Sequence, residues 1–156
     1  MKVVIQRVSK AKVEVNDSVK CKINQGFLIL LGIESSDSQE DVNWLVSKIS
    51  NLRVFSDDEL KMNLSIKDVK GEIIVVSQFT LHAKTKKGNR PSYINAANSE
   101  HAKPLYDEFI LKLKNESGVD VKSGIFGANM QLAIVNDGPV TIIIDSNIKE
   151  LSFNFF

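Results

Sequence analysis

Cysteine is nearly absent: Cys21 stands alone in 156 residues, which rules out an internal disulfide. Histidine is almost as scarce. His82 and His101 form no Cys/His cluster at zinc-ligand spacing, and both read as surface residues. Neither sign of charge dominates, with 20 Lys and Arg against 19 Asp and Glu for a net +1. That balance argues against a broad basic face for nucleic acid and leaves any acidic partner to be gripped locally. No apolar run approaches membrane-spanning length, and the opening Met1-Lys2-Val3-Val4-Ile5-Gln6-Arg7 is charged too early for a signal peptide. These absences read as a soluble, cytoplasmic protein with no membrane partner. Internal repeats, low-complexity linkers and composition shifts are also missing, so a single domain is expected over 1–148, with a tail at 149–156.

The apolar residues that are present carry a clear order of elements. Residues 3 to 8 predict a strand. Ala11, Val13 and Val15, then Val19, Cys21 and Ile23, alternate with polar residues around Asn16-Asp17-Ser18, the pattern of a hairpin with one wet face. Phe27 to Ile33 is an apolar run bounded by glycine and short enough for a central strand covered on both faces. Asp37-Ser38-Gln39-Glu40 resembles a capping box, and Val42, Leu45, Val46, Ile49 and Leu52 follow at helical spacing, predicting a helix over 38–51. Trp44 lies beside that stripe and reads as half-buried packing. Ser56-Asp57-Asp58-Glu59 lacks the EF-hand ligand pattern and reads as a solvated loop.

Glu72 to Leu81 predicts a long strand whose second half turns polar, with Ser77 and Phe79 on one face and Gln78 and Thr80 on the other. A loop follows over 82–98. Leu105, Tyr106, Phe109, Ile110 and Leu113 make an amphipathic stripe, predicting a second helix from about Ala102 to near Gly118, with Pro104 in its first turn or so. Strands are expected near 119–123, 130–136 and 139–145. Many strands with two principal helices inserted predict an α+β fold with a mainly antiparallel, barrel-like sheet packed on the helices.

Four stretches could carry chemistry. Ser77-Gln78-Phe79-Thr80 ends an apolar strand, where side chains and freed N–H groups can meet a ligand. No Gly-x-Ser-x-Gly elbow accompanies it. Lys84, Lys86, Lys87 and Arg90 crowd one loop, either as solvated charge or as a local grip for a phosphate-bearing ligand. Gly124-Ile125-Phe126-Gly127-Ala128-Asn129-Met130 brackets an aromatic and a thioether between glycines, a pair that could sandwich a base. Asn136-Asp137-Gly138-Pro139 sits between two β-branched runs, as two strands meeting at a tight turn. By itself it is a surface turn or a rigid backbone presented to a ligand.

Together with Val4-Ile5-Gln6-Arg7-Val8 and Lys87-Gly88-Asn89-Arg90-Pro91-Ser92, these stretches closely resemble the D-aminoacyl-tRNA deacylases, also called D-tyrosyl-tRNA deacylases. The Ser-Gln-Phe-Thr and Asn-x-Gly-Pro-Val-Thr runs are that family's signatures, and the match extends to about Asp145. Lys2 and Tyr93 stand where the family more often has Arg and Phe. The aromatic tail lies outside the match.

The resemblance implies a homodimer that hydrolyses the ester between a D-amino acid and the terminal adenosine of tRNA. Glycine mischarged on tRNA-Ala is implied as a further substrate. Gly138 and Pro139 match a Gly-cisPro element that one subunit inserts into the other's site, and Arg7 a residue that holds it. Phe126, Ala128 and Met130 match the adenosine pocket. Ser77, Gln78, Phe79 and Thr80 match the catalytic strand end, and the basic residues 84, 86, 87 and 90 would meet tRNA. No metal or organic cofactor is implied. A carbonyl wall at Gly138-Pro139 would reject L side chains. Backbone N–H groups would stabilise the oxyanion, with water attack assisted by the substrate's 2′-hydroxyl. A non-catalytic binder of RNA ends and a small-ester hydrolase are the alternatives.

Overall fold

Strand β1 (Lys2–Val15) is the spine on which the other strands are hung. Along one edge it pairs antiparallel with β8 (Gln131–Asp145), from Lys2 opposite Asp145 to Glu14 opposite Gln131. Along the other edge it pairs first with β3 (Gly26–Gly32) and then with β2 (Ser18–Ile23). One strand can serve two partners on that edge because its buried face changes midway. Val3 and Ile5 belong to one core cluster, while Val8, Ala11 and Val13 belong to another, with exposed Ser9 and Lys10 at the change. The structure is a computed structural model that describes residues 1–149. The expected C-terminal tail therefore lies, apart from Lys149, outside the described residues.

Beyond β3 the sheet turns parallel, through β6 (Glu72–Ser77) to β7 (Asp120–Ser123). Strands covered on both faces read as unbroken apolar runs, and β3 and β6 do so here. Phe27, Ile29, Leu31, Ile73 and Val75 face the helices, whereas Leu28, Ile74 and Val76 join Val8, Ala11 and Val13 inside the curl of the sheet. The curl brings β2 beside β7, where Lys122 Nζ donates to the Lys22 carbonyl at 2.9 Å, and the barrel is nearly closed. A small hairpin of β4 (Phe55–Ser56) and β5 (Met62–Leu64) stands apart.

Helices α1 (Gln39–Asn51) and α2 (Ser99–Ser117) cover the outer face through Leu45, Ile49, Leu105, Phe109 and Leu113. Helix α1 starts with the expected capping box, but its reciprocal partner is Asp41, whose Oδ2 accepts from the Ser38 N–H at 2.8 Å. Asp37 is instead buried and accepts from the N-terminal ammonium of Met1. Helix α2 begins three residues before the predicted Ala102, because Asn98 caps it by accepting from the His101 N–H at 3.0 Å. Pro104 thus falls in the second turn, on an exposed face. Gly118, at φ 67°, closes the helix in the left-handed region.

The expected strands differ at two places. The strand from Glu72 stops at Ser77, and Phe79–His82 forms one turn of 3-10 helix. Its neighbours end there too, β3 at Gly32 and β7 at Ser123, so no ladder remains to hold an extended chain. The expected pair at 130–136 and 139–145 is one continuous strand, β8, with a bulge. Gln6 faces Thr141 and Val8 faces Asn136, so Asp137 to Val140 stand opposite Arg7 alone.

Candidate active site

The end of β6 builds one wall of the site. Gln78 N–H donates to the Leu31 carbonyl at 2.8 Å, after which Leu81 N–H turns back to Gln78 O and Ala83 N–H to Thr80 O. The N–H groups of Phe79 and Thr80, the first two of the turn, have no acceptor among the described residues, as at any helix start without a cap. Gln78 Nε2 donates to Thr80 Oγ1 at 2.6 Å. The threonine hydroxyl is therefore met by an amide, and no imidazole, ammonium or carboxylate bonds to it among the described residues. The supposed alternation of Ser77 and Phe79 against Gln78 and Thr80 does not survive the turn.

Beside this wall opens a cavity of about 520 Å³. Ser77, Gln78 and Phe79 line it together with Phe126, Ala128 and Met130, so the structure unites two stretches separated by nearly fifty residues in sequence. Gly127, at φ 74°, turns the second stretch over Ser77, with its N–H 3.5 Å from Ser77 Oγ. Phe126 leans on Tyr106 with ring centroids 5.3 Å apart, which fixes the aromatic wall to α2. Tyr106 in turn donates to the Val75 carbonyl at 3.0 Å, and burial pushes its phenol up to about 12. Gly124 leaves room for Met130, since a Cβ there would collide with the thioether sulfur. At the rim Phe79 meets Tyr93 edge-on, 5.0 Å between centroids.

Gly138 and Pro139 lie elsewhere. They are joined by a cis peptide bond and project from the β8 bulge, exposed, and neither lines the cavity of its own chain. Buried Arg7 holds the bulge from beneath. Its Nε donates to the Asp137 carbonyl at 3.1 Å, and its Nη1 to the Val54 carbonyl at 2.6 Å. Gly138, at φ 126°, has Arg7 Nη2 within 3.1 Å of the position a Cβ would take. Lys84, Lys86, Lys87 and Arg90 are exposed on a loop leading away from the 3-10 turn. It is closed by reciprocal backbone bonds between Lys84 and Ser92, and the four cations make no ion pair among the described residues.

The third wall was not anticipated. Ala97, Asn98, Ser99 and Ala102, at the start of α2, face the cavity. The Asn98-Ser99-Glu100 sequence is a capping signal that could have placed them. His82 is the other surprise: it was expected at the surface, but its side chain is only 2% exposed and lies under the 3-10 turn, with Nδ1 3.1 Å from Glu34 Oε1. An exposed loop was expected there, but as the last residue of the turn His82 is rolled inward. His101 is exposed, as expected. Among the described residues no three His, Cys, Asp or Glu stand together as a metal site, and no helix is long and apolar enough to cross a membrane.

Comparison with known proteins places this geometry. The D-aminoacyl-tRNA deacylase of Flavobacterium psychrophilum is 63% identical over 96% of this chain and 100% of its own length. That of Finegoldia magna is 56% identical over 94% of this chain and 98% of its own. Among solved structures, the c-Myc DNA unwinding element binding protein is 42% identical, with a TM-score of 0.87 over 93% of this chain and 98% of that one. A probable eukaryotic D-amino acid tRNA deacylase shares the fold at 20% identity, with a TM-score of 0.79 over 92% of this chain and 97% of that one. Residues 4–145 match the sequence pattern described as D-Tyr-tRNA(Tyr) deacylase, and the chain belongs to that family.

Proposed function

We propose that this protein hydrolyses the ester bond of D-aminoacyl-tRNA, releasing tRNA and the free D-amino acid. One observation carries the reading: the end of β6 offers two N–H groups without an acceptor among the described residues, those of Phe79 and Thr80. Phe79 lines the cavity with Phe126 and Met130, and Thr80, the next residue, does not line it. The cavity takes the terminal adenosine between the aromatic ring and the thioether. The scissile ester then lies at the strand end, where the N–H groups stabilise the oxyanion of the tetrahedral intermediate. A group of this kind is worth about 10²- to 10³-fold in rate. Among the described residues the Thr80 hydroxyl has only the Gln78 amide as a partner, so it lacks the base a hydroxyl nucleophile needs. Water attacks instead, and the ribose 2′-hydroxyl of the substrate assists it. Achiral glycine on tRNA-Ala is a further substrate, because it presents no side chain to reject.

The exposed Gly138-Pro139 bulge gives the chemistry its handedness. It does not line the cavity of its own chain, and Arg7 holds its backbone through the Asp137 carbonyl. A second copy of the chain supplies it, so the working unit is a homodimer with Gly138 and Pro139 of one protomer over the cavity of its partner. Their backbone blocks an L side chain and leaves a D side chain free. The loop cations Lys84, Lys86, Lys87 and Arg90 grip the phosphates of the acceptor stem, a local grip that suits a chain whose net charge is only +1. The protein acts in the cytoplasm, on charged tRNA.

Release of free tRNA from D-tyrosyl-tRNA, measured beside hydrolysis of D-tyrosine ethyl ester, tests the reading. Rapid turnover of the tRNA ester and negligible turnover of the ethyl ester are expected. Binding of D-tyrosyl-tRNA without turnover would identify an RNA-end binder, and equal turnover of both esters a general esterase.

A further inference from the structure

A buried histidine with one unsatisfied nitrogen needs a reason, and His82 is one. Its Nε2 is buried without a hydrogen-bond partner among the described residues. An orphaned polar atom of this kind destabilises the fold, a cost that a leucine at the same place would not incur. His82 is the last residue of the 3-10 turn, and its Nδ1 lies 3.1 Å from Glu34 Oε1. Glu34 is itself fixed on three sides. Its other carboxylate oxygen accepts from Asn147 Nδ2 at 2.8 Å, its N–H donates to Asp37 Oδ2 at 2.6 Å, and it bridges Ala96. The neighbouring Ile33 carbonyl accepts from Ala97 N–H at 2.9 Å, and Ala97 lines the opposite wall of the cavity. Glu34 thus ties the turn to the segment that also anchors the α2 wall. Gly32 permits the close approach: a Cβ on it would lie 2.9 Å from the Gln78 carbonyl and 3.0 Å from His82 Nε2.

We infer that His82 is a positioning residue, which with Glu34 and Gly32 fixes the 3-10 turn so that the Phe79 and Thr80 N–H groups are aimed at the reacting ester. The inference rests on the deacylase reading given above. The histidine touches no substrate. It acts through the turn, and a misplacement of about 1 Å in such a group costs on the order of 10²-fold in rate.

His82→Leu and His82→Asn separate positioning from packing. Leucine fills the space and removes the orphaned nitrogen but loses the contact with Glu34, whereas asparagine places an N–H where Nδ1 stood. For His82→Leu we expect a Tm at or above wild type and a KM for D-tyrosyl-tRNA within about twofold. Its kcat should fall about 10- to 100-fold, and amide exchange over residues 77–83 should be faster. His82→Asn should recover kcat to within about threefold of wild type. Wild-type kcat in His82→Leu, or an equal loss in both variants, would overturn the inference. Should wild type fail to turn over D-tyrosyl-tRNA, the deacylase reading falls by itself. The exchange comparison then decides the positioning role alone, and unchanged exchange in His82→Leu refutes it.

Discussion

Thr80→Ala separates the two ways this site could cleave an ester. The substitution removes one side-chain hydrogen bond, from Gln78 Nε2 to Thr80 Oγ1 at 2.6 Å. Gln78 is only partly buried, so water can take over its amide, and the cost in stability is about 1 kcal/mol. For a domain of this size that is a drop of about 2–4 °C in Tm. The turn itself persists, because Leu81 N–H to Gln78 O and Ala83 N–H to Thr80 O are backbone bonds. The Thr80 N–H also survives in alanine. If oxyanion stabilisation by the backbone and assistance from the 2′-hydroxyl carry the reaction, kcat in single-turnover deacylation of D-tyrosyl-tRNA stays within about tenfold of wild type. Removal of a nucleophile would cost about 10³-fold or more. The companion substrate carries D-tyrosine at the 3′ position of a terminal 2′-deoxyadenosine. It should bind normally and react slower by about 10²-fold or more, the usual worth of a positioned proton acceptor. Fast hydrolysis of that substrate, together with a folded but inactive Thr80→Ala, would refute substrate assistance and restore threonine as the nucleophile.

Other changes test the supports of the site. Arg7→Lys loses the fork that reaches both the Asp137 and Val54 carbonyls. Urea unfolding should show a loss on the order of 2 kcal/mol and deacylation a reduced preference for D over L, whereas an unchanged D/L ratio would separate Arg7 from selectivity. Gly124→Ala drives Met130 toward the cavity, so KM for D-tyrosyl-tRNA should rise about tenfold with kcat and Tm nearly kept. A fall in kcat alone would contradict that placement. Glu72 is held below the usual carboxylate range by the Asn24 N–H at 2.8 Å and by the Lys122 ammonium at 2.9 Å. A depressed carboxylate stabilises the fold above its ordinary pKa of about 4.3 and loses that contribution as pH falls through its folded value. Glu72→Gln should therefore melt below wild type at neutral pH, with the gap closing in acid, and a gap independent of pH would refute the assignment.

Much of the fold was legible because its signals are local. The doubly buried run from Phe27 to Leu31 marked a central strand, and the Ser38 cap marked a helix. The errors share one cause, that partners distant in sequence decide where an element stops. Phe79, Thr80 and Leu81 suit a strand, and only the ends of β3 and β7 make them turn, which also buries His82. Asp137 to Val140 look like a hairpin until β1 supplies a continuous partner on both sides of the bulge. The clustering of Ser77 to Phe79 with Phe126 to Met130 depends on the parallel order β3, β6, β7, which spacing alone does not specify. The resemblance to the family marked both stretches in advance, the first through a signature and the second through the Gly124 to Met130 run, but not the α2 wall, nor the tie from Glu34 to the turn.

The central claim is chiral deacylation, and the most direct test is the ratio of single-turnover rates for D-tyrosyl-tRNA and L-tyrosyl-tRNA on the wild-type protein. Steric rejection at Gly138-Pro139 predicts a preference for the D ester of about 10²-fold or more. Equal rates on the two esters would contradict the account.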